Sequence, residues 1–450
     1  MSEPTTRLDK TLGLRSVVLF GLAYMTPIIV LGIFGVIAEA SDGASAGSYL
    51  LATVAMLFTA ISYGCLAGRF PVAGSAYTYV RRALDARLGF MVGWTVLLDY
   101  LFLPLVIWLI GGAYLESQFP GVPSPVWILL FVLVTTALNV LGLKVADRAN
   151  FLLMAFQVLV LAFFVLLCVR YLVDDSGAGA LWSVQPFTGD GGFSGIAAGA
   201  AIAAYSFLGF DAVSTLTEET HDARRTIPRA IVLVACIGGL IFVTVAYVVT
   251  LVEPGGTFSN ADSLASDTAE TIGGSLFGAV FLAGLIVAQF TSGLAAQAST
   301  ARLLYAMGRD GVLPRALFGR LSARFHTPVA NLVVCGLIGC LAIFLDVATS
   351  TSFINFGAFT AFTLVNVAVI AYFVRNRHEQ HLSPLVWCVV PAVGAVIDVY
   401  LLTRLDAKAL TLGGCWAALG LVYLVVLTRG FRQSPPEIAF DEDDAPVPAS

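Results

Sequence analysis

An apolar run from Val17 to Ala38 carries Pro27 near its middle, with Gly32 and Gly35 one or two turns later. As a helix the run is long enough to cross a bilayer, which takes roughly 20 apolar residues. Proline removes a backbone donor and clashes with the preceding turn, and glycine adds backbone freedom. In hydrocarbon the freed N–H and C=O groups have to be satisfied. A broken span therefore persists only where protein, a water-filled cavity or a ligand supplies partners. The stretch GLAYMTPIIVLGIFG, residues 21–35, marks a place where something small and polar binds at mid-membrane depth, around Thr26, Pro27, Gly32 and Gly35.

The whole chain has the same character. Of its 450 residues 58% are hydrophobic and only 12% charged, whereas soluble domains carry about 25% charged residues. Apolar segments of the required length fall near 16–38, 48–67, 88–115, 125–143, 150–172, 194–217, 229–252, 273–305, 328–346, 351–374, 384–403 and 409–429. The expectation is an all-α integral membrane protein of twelve transmembrane helices, solvated by a lipid bilayer. Residues 1–15 form a cytoplasmic N-terminal tail. Residues 430–450, rich in Pro and closing on an acidic run, form a disordered cytoplasmic tail.

Orientation follows from Lys and Arg, which concentrate on the cytoplasmic side. With both termini inside, 21 of the 24 basic residues fall on inner segments, including Arg69, Arg81, Arg82 and Arg87 between the second and third spans. Only Arg170, Arg404 and Lys408 are left outside. That places the chain, multi-pass, in the cell (inner or plasma) membrane.

A second broken span lies five spans after the first. The sixth reads GIAAGAAIAAYSFLGFDAVSTLTEE and is interrupted at Ser206, Gly209 and Asp211. Matching interruptions five spans apart imply two halves of opposite topology with a binding site at their interface. The halves are 16–172 and 194–375, and 384–429 adds two further spans.

Carboxylates inside the membrane are costly unless paired, hydrated or protonated, so they are functional candidates. Asp99, in LLDYLFLP of the third span, and Asp211 qualify; a substrate amine or a proton would suit either, and a helix cap or a hydrogen bond to a neighbouring hydroxyl is the bland alternative. Asp398, in the eleventh span, reads as structural. Tyr24, Tyr100, Tyr205, Phe207 and Phe210 cluster near the breaks, where a ring can stack on an amine; Phe207 is the first choice. Glu218 and Glu219, with Arg224 beyond them, form either an inner gate or a solvated group.

Other chemistry is disfavoured. All four His lie in loops, and the seven Cys are scattered without a CxxC pair. The Gly43–Gly47 match to G-x-S-x-G lacks the strand–turn–helix setting that a nucleophile needs. No nucleotide-binding module is present. We expect no enzyme activity, no metal, no cofactor and no nucleic acid partner.

The residues also resemble a known family, the amino acid–polyamine–organocation permeases, and within it the putrescine importers. The likeness rests on GLAYMTP (21–27), FPVAGSAYTYV (70–80), GFMVGWTVLLDYLFLP (89–104), SFLGFDAVSTLTEET (206–220), RLLYAMGRDGVLP (302–314) and INFGAFTAFT (354–363). It implies a LeuT-type 5+5 inverted repeat and secondary uptake of a small amine or amino acid, usually with protons. It also implies substrate contacts from Pro27 to Gly32, from Ser206 to Phe210 and from the third span, here Asp99 and Tyr100. The first break carries Leu31 and Gly32 where some putrescine importers place an acid. The fifth span has Gln157 and lacks the Lys that some proton-coupled relatives use. Ser292, Ser299 and Thr300 are weak candidates for a sodium site. The expected function is import of a polyamine such as putrescine, with an amino acid permease as the alternative. A membrane sensor that binds without translocating is the rival from another class.

Overall fold

A computed structural model describes residues 12–71, 75–142, 147–217, 219–309, 311–322, 324–325, 327–380 and 382–436. Among these residues the only strand-like pairing is an isolated bridge between Leu12 and Thr220. Everything else regular is helix. Ten helices are long and apolar enough to cross a membrane, and the expected spans near 125–143 and 328–346 coincide with shorter apolar helices, Ser124–Val140 and Val329–Phe344. The chain is a multi-pass membrane protein.

The first span is α1 (Leu14–Met25), a single turn at Ile29–Gly32, then α2 (Phe34–Ala40). Thr26 ends α1 in the left-handed region at φ 49°. Pro27, which follows, has no N–H to offer, so the Ala23 carbonyl accepts from the Thr26 N–H at 3.2 Å instead. The second span, α3 (Ser45–Arg69), runs back. A short helix, α4 (Ser75–Ala83), then precedes the third span, α5 (Ala86–Gln118). The sequence places α4 in an inner connecting segment because it is too short to span. The structure instead buries Tyr77, Tyr79 and Val80 of α4. Nine residues cannot cross a bilayer, but they can pack an apolar face onto α5.

At the places of the expected fourth and fifth spans stand α6 (Ser124–Val140) and α7 (Asp147–Ser176). The sixth begins as α8 (Gly192–Ala203), tightens into a 3₁₀ turn at Ala204–Phe207, and resumes as a second 3₁₀ segment at Asp211–Leu216. Between them Gly209 adopts φ 106°, which side chains rarely allow. Then come α9 (Ala223–Val252) and α10 (Leu264–Arg309). The long α10 starts nine residues before the expected 273 and is kinked at Gly274, φ 71°. The last helices are α11 (Val329–Gly339), α12 (Val347–Gln380), α13 (Val390–Leu402) and α14 (Ala407–Leu427).

Lipid offers no hydrophobic drive between helices, so close packing and polar clasps hold the bundle. A Cβ on Gly239 of α9 would collide with Thr53 of α3, and one on Gly199 of α8 with Ser41 and Ser48. The last helix, α14, is clasped to α5 by a reciprocal pair. Trp94 Nε1 donates to the Trp416 carbonyl and Trp416 Nε1 to the Trp94 carbonyl, each at 2.9 Å.

Candidate functional site between the two breaks

The two interruptions meet. The Tyr24 ring, on the last turn of α1, lies where a Cβ on Gly209 would stand. Beside this contact opens a cavity of about 320 Å³, at the small end of the 300–1,000 Å³ typical of small-molecule pockets. The first span contributes Ala23, Tyr24, Met25 and Thr26, and the sixth contributes Tyr205 and Leu208. Leu103 and Ile107 of α5, Gln157 of α7, and Gln289, Ser292 and Ser299 of α10 close the wall. Among the described residues no lining side chain is charged.

The sequence-derived residues divide sharply. Thr26, Ser292 and Ser299 face the cavity. Thr300 does not; its hydroxyl is taken by the carbonyls of Tyr100 and Ala296. Pro27 shapes the break without lining the cavity. Gly32 packs near Ile110 and Leu285, and Gly35 lies so close to the Ala261 carbonyl that no side chain would fit. Those two glycines serve packing. Ser206 turns to α3 and shares a hydrogen bond of 3.0 Å with the Tyr49 hydroxyl. Phe207 is fully buried edge-on to Phe242 of α9, with ring centroids 5.1 Å apart. The aromatic wall at this point is Tyr205, because the 3₁₀ turn rotates Phe207 away.

Neither carboxylate is on the cavity wall, but they sit close behind it. Asp99 is within electrostatic reach of Tyr24, Tyr205 and Asp211. Its Oδ1 is buried and has no hydrogen-bond partner among the described residues. Tyr100, next to it, is in reach of both acids. Asp211 is well supplied. Ser75 Oγ of α4 donates to its Oδ2 at 2.9 Å, and the backbone of Gly209, Asp211 and Ala212 lies within electrostatic reach of the same carboxylate. Asp211 thus stands in the first turn of the resumed sixth span, held by a neighbouring hydroxyl.

At the proposed gate, Glu218 lies outside the described residues. The Glu219 carbonyl accepts from the Leu12 N–H at 2.9 Å. Among the described residues the ion pair here joins Arg225 to Asp222, at 3.9 Å, and none joins Arg224 to Glu219.

Three residues of the site carry no strong sequence signal. Tyr114 of α5 donates to the Leu31 carbonyl at 2.7 Å, satisfying a group freed where the first span is interrupted at Ile33. Asn355 of α12 reaches the Ala201 and Ile202 carbonyls, at 2.7 and 3.3 Å, where α8 gives way to the 3₁₀ turn. Gln289 lines the cavity with a buried, unpartnered Nε2. Only Asn355 was within reach of sequence reading, as the amide among the three polar residues of INFGAFTAFT. Tyr and Gln within an apolar run do not announce their partners.

Broken helices that supply polar backbone to a shared cavity, inside a bundle of apolar spans, define a membrane transport protein. The chain belongs to the amino acid permease family, whose model matches residues 16–429. It is 40% identical, over 96% of each chain, to the low-affinity putrescine importer PlaP of Escherichia coli K12. It is 26% identical, over 94% of each chain, to the branched-chain amino acid permease BcaP of Bacillus subtilis. To the methylthioribose transporter of the same organism it is 27% identical over 93% of each chain.

Proposed function

We propose that the chain is a secondary importer of a small organic amine, foremost a polyamine such as putrescine, working through the cavity between the breaks. The observation that carries this reading is that the Leu208, Phe210 and Ala212 N–H groups at the sixth-span break are already bonded to the Tyr205, Phe207 and Gly209 carbonyls. A substrate carboxylate would need such donors; here the chain's own carbonyls have taken them. What faces the cavity instead suits a cation. The C-terminal end of α1 bears partial negative charge, Tyr24 and Tyr205 offer ring faces, and Asp99 lies behind them with an unpartnered oxygen. The name of the Escherichia coli relative points the same way.

The surrounding arrangement belongs to the same proposal. Residues 16–172 and 194–375 are two inverted repeats of a LeuT-type bundle of twelve spans, with 384–429 added. Both termini are cytoplasmic, in the inner membrane, and import is coupled to protons. The alternation of basic residues supports the sidedness, and the two facing breaks support the repeat. An amino acid substrate is the second reading, favoured by the lack of an acid at Leu31 and Gly32 and by the branched-chain relative.

The test is uptake into proteoliposomes under an inward proton gradient, with labelled putrescine and a panel of amino acids. Saturable putrescine uptake is expected. Uptake of amino acids alone would replace the substrate. Ligand-induced stabilisation without flux of any compound would make the chain a sensor.

A further inference from the structure

Asp398 of α13 lies away from the cavity, and none of its surface reaches solvent. Its Oδ2 accepts from the Thr59 hydroxyl at 2.9 Å and from Asn366 Nδ2 at 3.0 Å. The amide of Asn366 is fixed in turn, because Ser62 Oγ donates to its Oδ1 at 2.5 Å. Gly394, one turn before Asp398, makes room: a Cβ there would meet both amide atoms of Asn366 at 3.0 Å. The second carboxylate oxygen, Oδ1, is buried without a hydrogen-bond partner, and among the described residues no basic side chain forms an ion pair with it.

An ionised carboxylate held this way keeps one oxygen bare in an apolar interior. The same group carrying a proton has no net charge and keeps both bonds to Oδ2. The neighbours leave few other titratable groups. From α3 comes Tyr63, within electrostatic reach of Asp398. Helix α12 contributes the Asn366 amide, α8 has no titratable residue, and Cys388 on the turn before α13 is ten residues, about 15 Å, along the axis.

Tyr63 also faces the central site. Its hydroxyl is buried, its ring meets Phe210 edge-on at 5.7 Å, and it is within electrostatic reach of Asp211 as well as Asp398. One phenol is therefore within electrostatic reach of both the buried carboxylate of α13 and the one at the start of the resumed sixth span.

We infer that Asp398 is a proton-carrying site in the membrane interior, linked to the central site through Tyr63. A proton from one aqueous side bonds to the carboxylate and leaves as H⁺ to the other, and no other group changes. The coupling half rests on the importer reading above; the protonation half does not.

Two measurements separate them. Infrared difference spectroscopy of substrate-free protein at neutral pH, wild type minus Asp398→Asn, should show the carbonyl stretch of a protonated carboxyl group. Its absence from the wild type, or its persistence in the variant, overturns the proton assignment. In proteoliposomes Asp398→Asn should keep putrescine counterflow within about twofold while losing the stimulation of uptake by an inward proton gradient, a loss of about tenfold in rate. Undiminished stimulation, or stimulation by sodium that the variant loses, overturns the coupling role. Should Asp398→Asn not fold, Tyr63→Phe takes its place. It is expected to keep the infrared band and lose gradient stimulation; unchanged stimulation again overturns the link. Absence of counterflow in the wild type for every amine and amino acid would strike the importer reading and leave the infrared result to decide Asp398.

Discussion

The ring of Tyr24 fills the space that a side chain on Gly209 would need, so the two interrupted spans touch ring against backbone at the head of the cavity. Gly209 also holds φ 106°. A side chain at such a φ costs about 1–3 kcal/mol, before any collision with the ring. Gly209→Ala should therefore lower the apparent melting temperature in detergent and cut uptake at least about tenfold. Adding Tyr24→Ala relieves the collision but not the strain, so stability should recover in part. Full stability of Gly209→Ala alone would mean that the contact is not tight.

Asp99 offers the unpartnered carboxylate oxygen nearest the aromatic wall. Removing one partner of a buried charge pair costs about 2 kcal/mol or more, roughly thirtyfold in affinity. Asp99→Asn should raise the KM for putrescine by about that factor and change neutral amino acid uptake by no more than about twofold. Equal loss for both substrates would assign Asp99 a structural role.

Tyr114 and Asn355 each satisfy carbonyls freed where a membrane helix is interrupted. A buried polar group left without its bond costs about 1–3 kcal/mol, and lipid offers no water to replace it. Tyr114→Phe and Asn355→Ala should each lower thermal stability measurably. Tyr423→Phe, which removes a bond at a half-buried site on α14, should cost less. Thermal unfolding of the three variants in one detergent checks the order, and parity among them would refute it.

Glu253, just past α9, is half-buried, and burial pushes its carboxyl above the ordinary 4.5 despite a 3.4 Å hydrogen bond from Thr268. The folded state then holds this proton to higher pH than the unfolded chain does. Stability from this residue falls as pH rises from 4.5 through the folded value, and stays lower above it. Glu253→Gln should match the wild type near pH 4 and be the more stable protein at pH 7. Melting curves across that range test it; a constant offset at every pH would show that the proton is not involved.

The breaks at Pro27 and at Ser206–Asp211 were legible because their causes are local: a missing N–H, and a glycine where φ turns positive. The apolar spans were legible because bilayer thickness sets their length. The cavity wall was not. Whether Phe207 or Tyr205 faces the ligand depends on a 3₁₀ turn that rotates the chain by a fraction of a residue, and no periodicity in AAYSFLGF records it. Ser75–Ala83 was missed for a related reason: its apolar face has meaning only against α5.

The sequence by itself determined that this chain lives in lipid, which spans break, and that buried carboxylates attend the breaks. Those are properties of composition and of single backbone positions. Only the tertiary structure decided that Tyr24 rests on Gly209, that Asp211 takes a bond from Ser75 while an Asp99 oxygen has no partner among the described residues, and that Asp398 and Asp211 share Tyr63. Each of these joins residues tens to hundreds of positions apart. Such contacts are set by how helices pack, and packing depends on the shapes of both partners.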